Sequence, residues 1–172
     1  MDFSSSIHSF VRTKRLVRFI FSFSNLKAAI QKVTSKDTKV DEYLGEDIQA
    51  VIVLLLEACQ IDGETDKVEI GYITNLLINK FNFTQIEAEE NIKKALENSN
   101  DRVEIFSQIK VILNEMDHNE RIEVIEMMWG VILSDGVVDD FEANLMRRMN
   151  GLLYISGIES AEAKERASNQ FK

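Results

Sequence analysis

Proline is missing altogether from the 172 residues, and cysteine (Cys59) and tryptophan (Trp129) occur once each. A lone thiol forms no intrachain disulfide, and with only His8 and His118 as imidazoles it builds no Cys/His zinc cluster. All-β and loop-rich folds recruit proline for their turns, so its absence tilts the reading towards helices. Long hydrophobic runs are lacking too. The longest N-terminal one, 16–23, is interrupted by Arg18 and falls far short of the roughly 20 residues that span a bilayer. The same stretch argues against a secretory signal. What remains is 45% hydrophobic and 28% charged, a soluble globular composition in a length suited to one domain.

Acidic side chains are scarce at one end only. Residues 1–40 hold eight basic residues (Arg12, Lys14, Arg15, Arg18, Lys27, Lys32, Lys36, Lys39) against Asp2 and Asp37, a net charge of +6, whereas 41–172 holds 12 basic against 27 acidic, a net charge of −15. The polar run 34–39 reads as a linker, which divides the chain into a basic N-terminal segment with linker (1–40) and a helical domain (41–172). An acidic body of this kind repels a polyanion and excludes nucleic acid as its partner.

In the basic segment, Phe10, Leu16, Val17, Ile20, Phe21 and Phe23 interleave with Arg12, Lys14, Arg15 and Arg18 so that most of each class falls on its own helical arc. This is the pattern of a basic amphipathic helix, and 7–23 offers a peripheral contact with a membrane. Residues 3–36 contain no acid and several Ser and Arg, the composition of a mitochondrial transit peptide. A leading helix docked on the domain is the alternative.

From Glu46 the apolar positions Ile48, Val51, Ile52, Leu55, Ala58 and Cys59 follow helical spacing, and Val53, Leu54 and Leu56 fill the other faces. A second helix of this kind spans 118–134, with Ile122, Ile125, Met128, Trp129 and Ile132. Helices apolar all round are central, which assigns Trp129 and its methionines to the core. Amphipathic stretches at 68–80, 85–97, 102–116, 141–153 and 158–167 bring the expected all-α domain to about seven helices. Their starts share one device, an Asp, Ser or Thr followed three residues later by Glu, which satisfies otherwise unpaired backbone N–H groups. The pairs are Asp66/Glu69, Thr84/Glu87, Asp101/Glu104, Asp117/Glu120, Asp139/Glu142 and Ser156/Glu159.

Two of these starts share more. Residues 62–69 and 135–142 both read D-G-x-x-D-x-x-E, 73 positions apart, each after a central apolar helix and before an amphipathic one. The domain is thus an internal duplication of a helix–acidic turn–helix unit, and a pseudo-twofold arrangement follows. Capping accounts for Asp66, Glu69, Asp139 and Glu142, and a left-handed residue ending the preceding helix accounts for Gly63 and Gly136. Asp62 and Asp135 are left over. An acid in the last turn of a helix, where both are expected, is disfavoured by the macrodipole and asks for a cation or another donor. With Gly63 at position 6 of a calcium loop, Asp62, Asp66 and Glu69 fall at positions 5, 9 and 12, as do Asp135, Asp139 and Glu142 in the second copy. Positions 1 and 3 would be Ala58 and Gln60, or Val131 and Leu133, so a complete EF-hand is excluded. The expected metal ligands are Asp62, Asp66, Glu69, Asp135, Asp139 and Glu142, whose hard oxygens favour calcium or magnesium over zinc.

With Ile61-Asp62-Gly63-Glu64, Glu120-Arg121-Ile122-Glu123, Met128-Trp129-Gly130-Val131, Ser134-Asp135-Gly136 and Asp139-Asp140-Phe141-Glu142 followed by Leu145-Met146-Arg147-Arg148, the stretch 47–167 resembles the tellurite-resistance TerB-like family. The resemblance implies an all-helical domain, a bacterial cytoplasmic setting, an acidic surface associated with metal, and a link to stress response or to membrane-anchored J-domain co-chaperones. Val137 stands where family members carry a second acidic or polar residue, which leaves the second turn the poorer one. The expected function is a non-catalytic, divalent-cation-binding module in a stress-response or assembly role, in the cytoplasm or at its membrane. The alternative is an adaptor for a protein partner with no bound metal. An enzyme ranks third, because no Ser–His, His–Cys or phosphate-cradling glycine arrangement accompanies the carboxylates.

Overall fold

The computed structural model describes residues 45–60, 67–98, 102–136 and 138–172. Among them seven helices follow one another: α1 (Glu46–Cys59), α2 (Lys67–Phe81), α3 (Gln85–Asn98), α4 (Arg102–Glu115), α5 (His118–Ile132), α6 (Asp140–Leu152) and α7 (Gly157–Asn169). No strand occurs among the described residues. The all-α expectation holds. The amphipathic segment expected at 7–23 lies outside the described residues.

The two helices with apolar residues all round are the two at the centre. α1 buries Ala50, Val51, Ile52, Leu54, Leu55, Leu56, Ala58 and Cys59 and is covered by α2, α3, α4 and α5. α5 buries every residue from Met127 to Ile132, with Val124 and Ile125, and lies against α1, α2, α6 and α7. A helix with no polar face must be covered on several sides, which is why five amphipathic helices surround two apolar ones. α6 shows the opposite pattern: Glu142, Leu145, Met146 and Met149 form one buried stripe at helical spacing, and its other side faces solvent.

Local chemistry sets the helix ends. Reciprocal capping boxes start α5 at Asp117/Glu120, α6 at Asp139/Glu142 and α7 at Ser156/Glu159. At α3, Thr84 N donates to Glu87 Oε2 (2.8 Å) and Glu87 N donates to Thr84 Oγ1 (3.3 Å). The expected caps Asp66 and Asp101 lie outside the described residues. The duplication is visible in the boundaries: α1 ends at Cys59 and α5 at Ile132, and α2 begins at Lys67 and α6 at Asp140, each pair 73 positions apart. After α5 the chain turns through Gly136 at φ +87°, a left-handed conformation that favours glycine. Gly63 lies outside the described residues.

Candidate cation site at the paired helix starts

Of the six expected ligands, the structure describes Glu69, Asp135, Asp139 and Glu142; Asp62 and Asp66 lie outside the described residues. Glu69 and Glu142 occupy the same place in the first turns of α2 and α6, and both are buried, at 7% and 8% exposure. Burial of a carboxylate is costly unless it is hydrogen-bonded or paired. Glu142 Oε2 accepts from Asp139 N at 2.8 Å while Asp139 Oδ1 accepts from Glu142 N at 2.8 Å. Glu69 Oε2 accepts from the buried Cys59 thiol at 3.2 Å. The residue matching Cys59 in the second copy is Ile132, which offers no side-chain donor.

Glu142 is held above the usual carboxylate range chiefly by burial, and further by the like charges of Asp139, Asp135 and Glu69; the backbone N–H of Asp139 pulls the other way. Glu69, from the first turn of α2, is the one of these charges that comes from the other copy. Asp135 stands three positions beyond the end of α5, in the turn itself, and is exposed, as is Asp139. Next to it, Ser134 Oγ is buried and has no hydrogen-bond partner among the described residues. Among the described residues, no three His, Cys, Asp or Glu side chains are arranged to hold a metal ion.

Cys59 is the participant that sequence reasoning missed. Its place in the stripe of α1 marks it as core, and its contact with Glu69 arises only when α2 folds back on α1. The available signal was the ten-residue spacing across the acidic turn, which brings the end of one helix beside the first turn of the next.

The fold and this site define a class: an all-α module built from a duplicated helix–acidic turn–helix unit around two apolar helices. The family model for tellurite resistance protein TerB matches residues 48–165, and the chain belongs to that family. Among solved structures, the fold is similar to a protein of unknown function, PG1108, from Porphyromonas gingivalis W83. That likeness has 21% identity and a TM-score of 0.56, and it covers 74% of this chain and 97% of that one. A comparison with curated proteins finds no match.

Proposed function

We propose that this TerB-family domain is a non-catalytic module that binds a divalent cation at its paired acidic turns, in a stress-response or assembly role. The observation that carries the reading is the pair of glutamates buried at matching places in the first turns of α2 and α6; burial first, and then the like charges of Asp139, Asp135 and Glu69, disfavour Glu142 as an anion. A cation between the turns would relieve that repulsion. Glu69, Glu142, Asp135 and Asp139, with Asp62 and Asp66, would supply the oxygens, and such a hard donor set suits calcium or magnesium. The buried Ser134 hydroxyl offers a further oxygen beside Asp135.

Asp135 gives the clean test, because it caps no helix. Calorimetric titration of the whole chain with calcium, magnesium, manganese and zinc should give a dissociation constant on the order of 10⁻⁴ to 10⁻³ M for calcium or magnesium. Asp135→Asn should weaken it by roughly tenfold, about 1.4 kcal/mol. Neither heat nor a melting shift at millimolar cation overturns the reading. One observation favours a second reading, an adaptor for a protein partner without metal: the box at Asp139/Glu142 is complete by itself. That adaptor takes the lead if the titration is silent.

A further inference from the structure

A cleft of about 140 Å³ lies between α2 and α5 and shares no residue with the acidic turns. α2 contributes Tyr72, Asn75, Leu76, Asn79 and Lys80, whose spacing puts them on one face of the helix. Leu76, and Met127 from α5, are buried and give the cleft an apolar lining. Two opposite charges accompany them. Lys80 is loosely held, its Nζ 3.6 Å from Glu123 Oε2 with both side chains well exposed. Glu126 of α5 gives Oε2 to Arg166 Nε at 2.6 Å, which leaves Oε1 for another donor. The carboxamides of Asn75 and Asn79 are exposed, and Gln170 joins the lining by accepting from the Tyr72 hydroxyl at 3.0 Å.

We propose that this cleft binds a free α-amino acid with an aliphatic side chain: its carboxylate on Lys80 and the amides of Asn75 and Asn79, its ammonium on Glu126, its side chain on Leu76 and Met127. Size is the first argument. A cavity of about 150 Å³ takes a benzene-sized molecule, whereas drug-sized ligands need roughly 300–1,000 Å³, so a molecule the size of leucine fits and a nucleotide does not. Charge is the second. A simple carboxylic acid gains Lys80 but is repelled by Glu126, and a simple amine meets the reverse, so the two walls together select a ligand that carries both charges. The apolar lining is the third, because it favours an aliphatic chain that glycine lacks. The Tyr72 hydroxyl spends its hydrogen on Gln170, and its oxygen is then an acceptor for the same ammonium.

The test titrates the full isotope-labelled chain, in EDTA, with L-leucine, glycine, isocaproate and isoamylamine; the last two are the leucine skeleton without its ammonium and without its carboxylate. L-leucine should shift the amide signals of Asn75, Asn79, Lys80, Glu126 and Met127 with a dissociation constant on the order of 10⁻³ M or below, and the other three compounds should bind at least about tenfold more weakly. Lys80→Met should abolish the advantage of leucine over isoamylamine, and Glu126→Gln its advantage over isocaproate. The Lys80 variant keeps the fold, because its pair with Glu123 is exposed; thermal denaturation checks both. No shift at about 10 mM leucine overturns the proposal, as do shifts centred outside the cleft, or isocaproate or isoamylamine binding the native chain as well as leucine does. A folded variant that keeps the full preference for leucine overturns it too. The comparison of compounds on the native chain stands even where a variant unfolds, and EDTA keeps the result separate from the cation reading.

Discussion

Glu69 and Glu142 occupy one place in a duplicated sequence; the Cys59 thiol donates to the first, and burial with nearby carboxylates raises the pKa of the second. The raised pKa of Glu142 has a pH consequence with a definite sign. The folded pKa of Glu142 lies above its unfolded value of 4.5, so the folded state holds the proton more tightly. Its stabilising contribution is present below that value and is lost as pH rises through the folded pKa. Gln at this position still fits a capping box. In EDTA, Glu142→Gln should therefore melt within about 1 kcal/mol of wild type at neutral pH, and its stability should fall less as pH rises above 4.5. Thermal denaturation from pH 4 to 8 measures this. A steeper fall in the variant would mean that the charge itself is stabilising. The carboxylate motif was legible in the sequence, but its electrostatics were not, because the charges that act on Glu142 include one from 73 positions away.

At the scale of elements, periodicity and capping were enough to locate the helices. The apolar runs around Leu55 and Met128 mark α1 and α5 as central because nothing polar interrupts them, and every cap expected among the described residues is formed. Periodicity says nothing about which helix lies on which, and the seating of α2 on α5 shows why. Tyr72 of α2 lies so close to Gly130 of α5 that a Cβ there would meet the phenol ring at 2.8 Å. The same tyrosine donates to Gln170 Oε1 at 3.0 Å and packs against Phe171 at 5.5 Å between centroids, tying the C-terminal residues to α2. Burial, and secondarily Glu126, raises its pKa. Gly130→Ala sets two effects against each other: alanine gains about 1 kcal/mol of helix propensity, and overpacking costs about 1–3 kcal/mol. The expected net change is a loss of up to about 2 kcal/mol in denaturant unfolding. In a Tyr72→Ala background the sign should reverse, and a loss of the same size in both backgrounds would remove Tyr72 as the cause.

Across the whole molecule the two copies are finished differently. α1 is covered by α3 and α4, which follow the first copy, whereas α5 is covered by α7 alone on the corresponding side of the chain order. α7 is correspondingly well fastened. Its small buried residues Ser160, Ala163 and Ala167 let it approach α5, Trp129 Nε1 donates to Ser160 Oγ at 3.1 Å, and Lys164 Nζ sits 4.5 Å from the Trp129 ring centre. Arg166 Nε donates to Glu126 Oε2 at 2.6 Å, and His118 Nε2 lies 2.6 Å from Glu159 Oε1, joining the starts of α5 and α7. The last of these contacts ties the titration of Glu159 to the α5–α7 pair. Glu159 is pushed down to about 2, first by the hydrogen bond with His118 and then by the side-chain and backbone hydrogen bonds from Ser156. A lowered folded pKa places the stabilisation above the unfolded value of 4.5 and removes it as pH falls from there towards 2. His118→Ala leaves Ser156 in place but takes away the leading cause, so the folded pKa of Glu159 should rise towards its unfolded value. Acid unfolding followed by tryptophan fluorescence, which reports the α5–α7 contact through Trp129, should then show a midpoint at higher pH in the variant. Ser156 still holds Glu159 partly down, so the variant's shift should be smaller than that of His118→Ala combined with Ser156→Ala. An unchanged acid midpoint in both would mean that this exposed pair contributes no net stabilisation and that burial around Trp129 alone holds α7 in place.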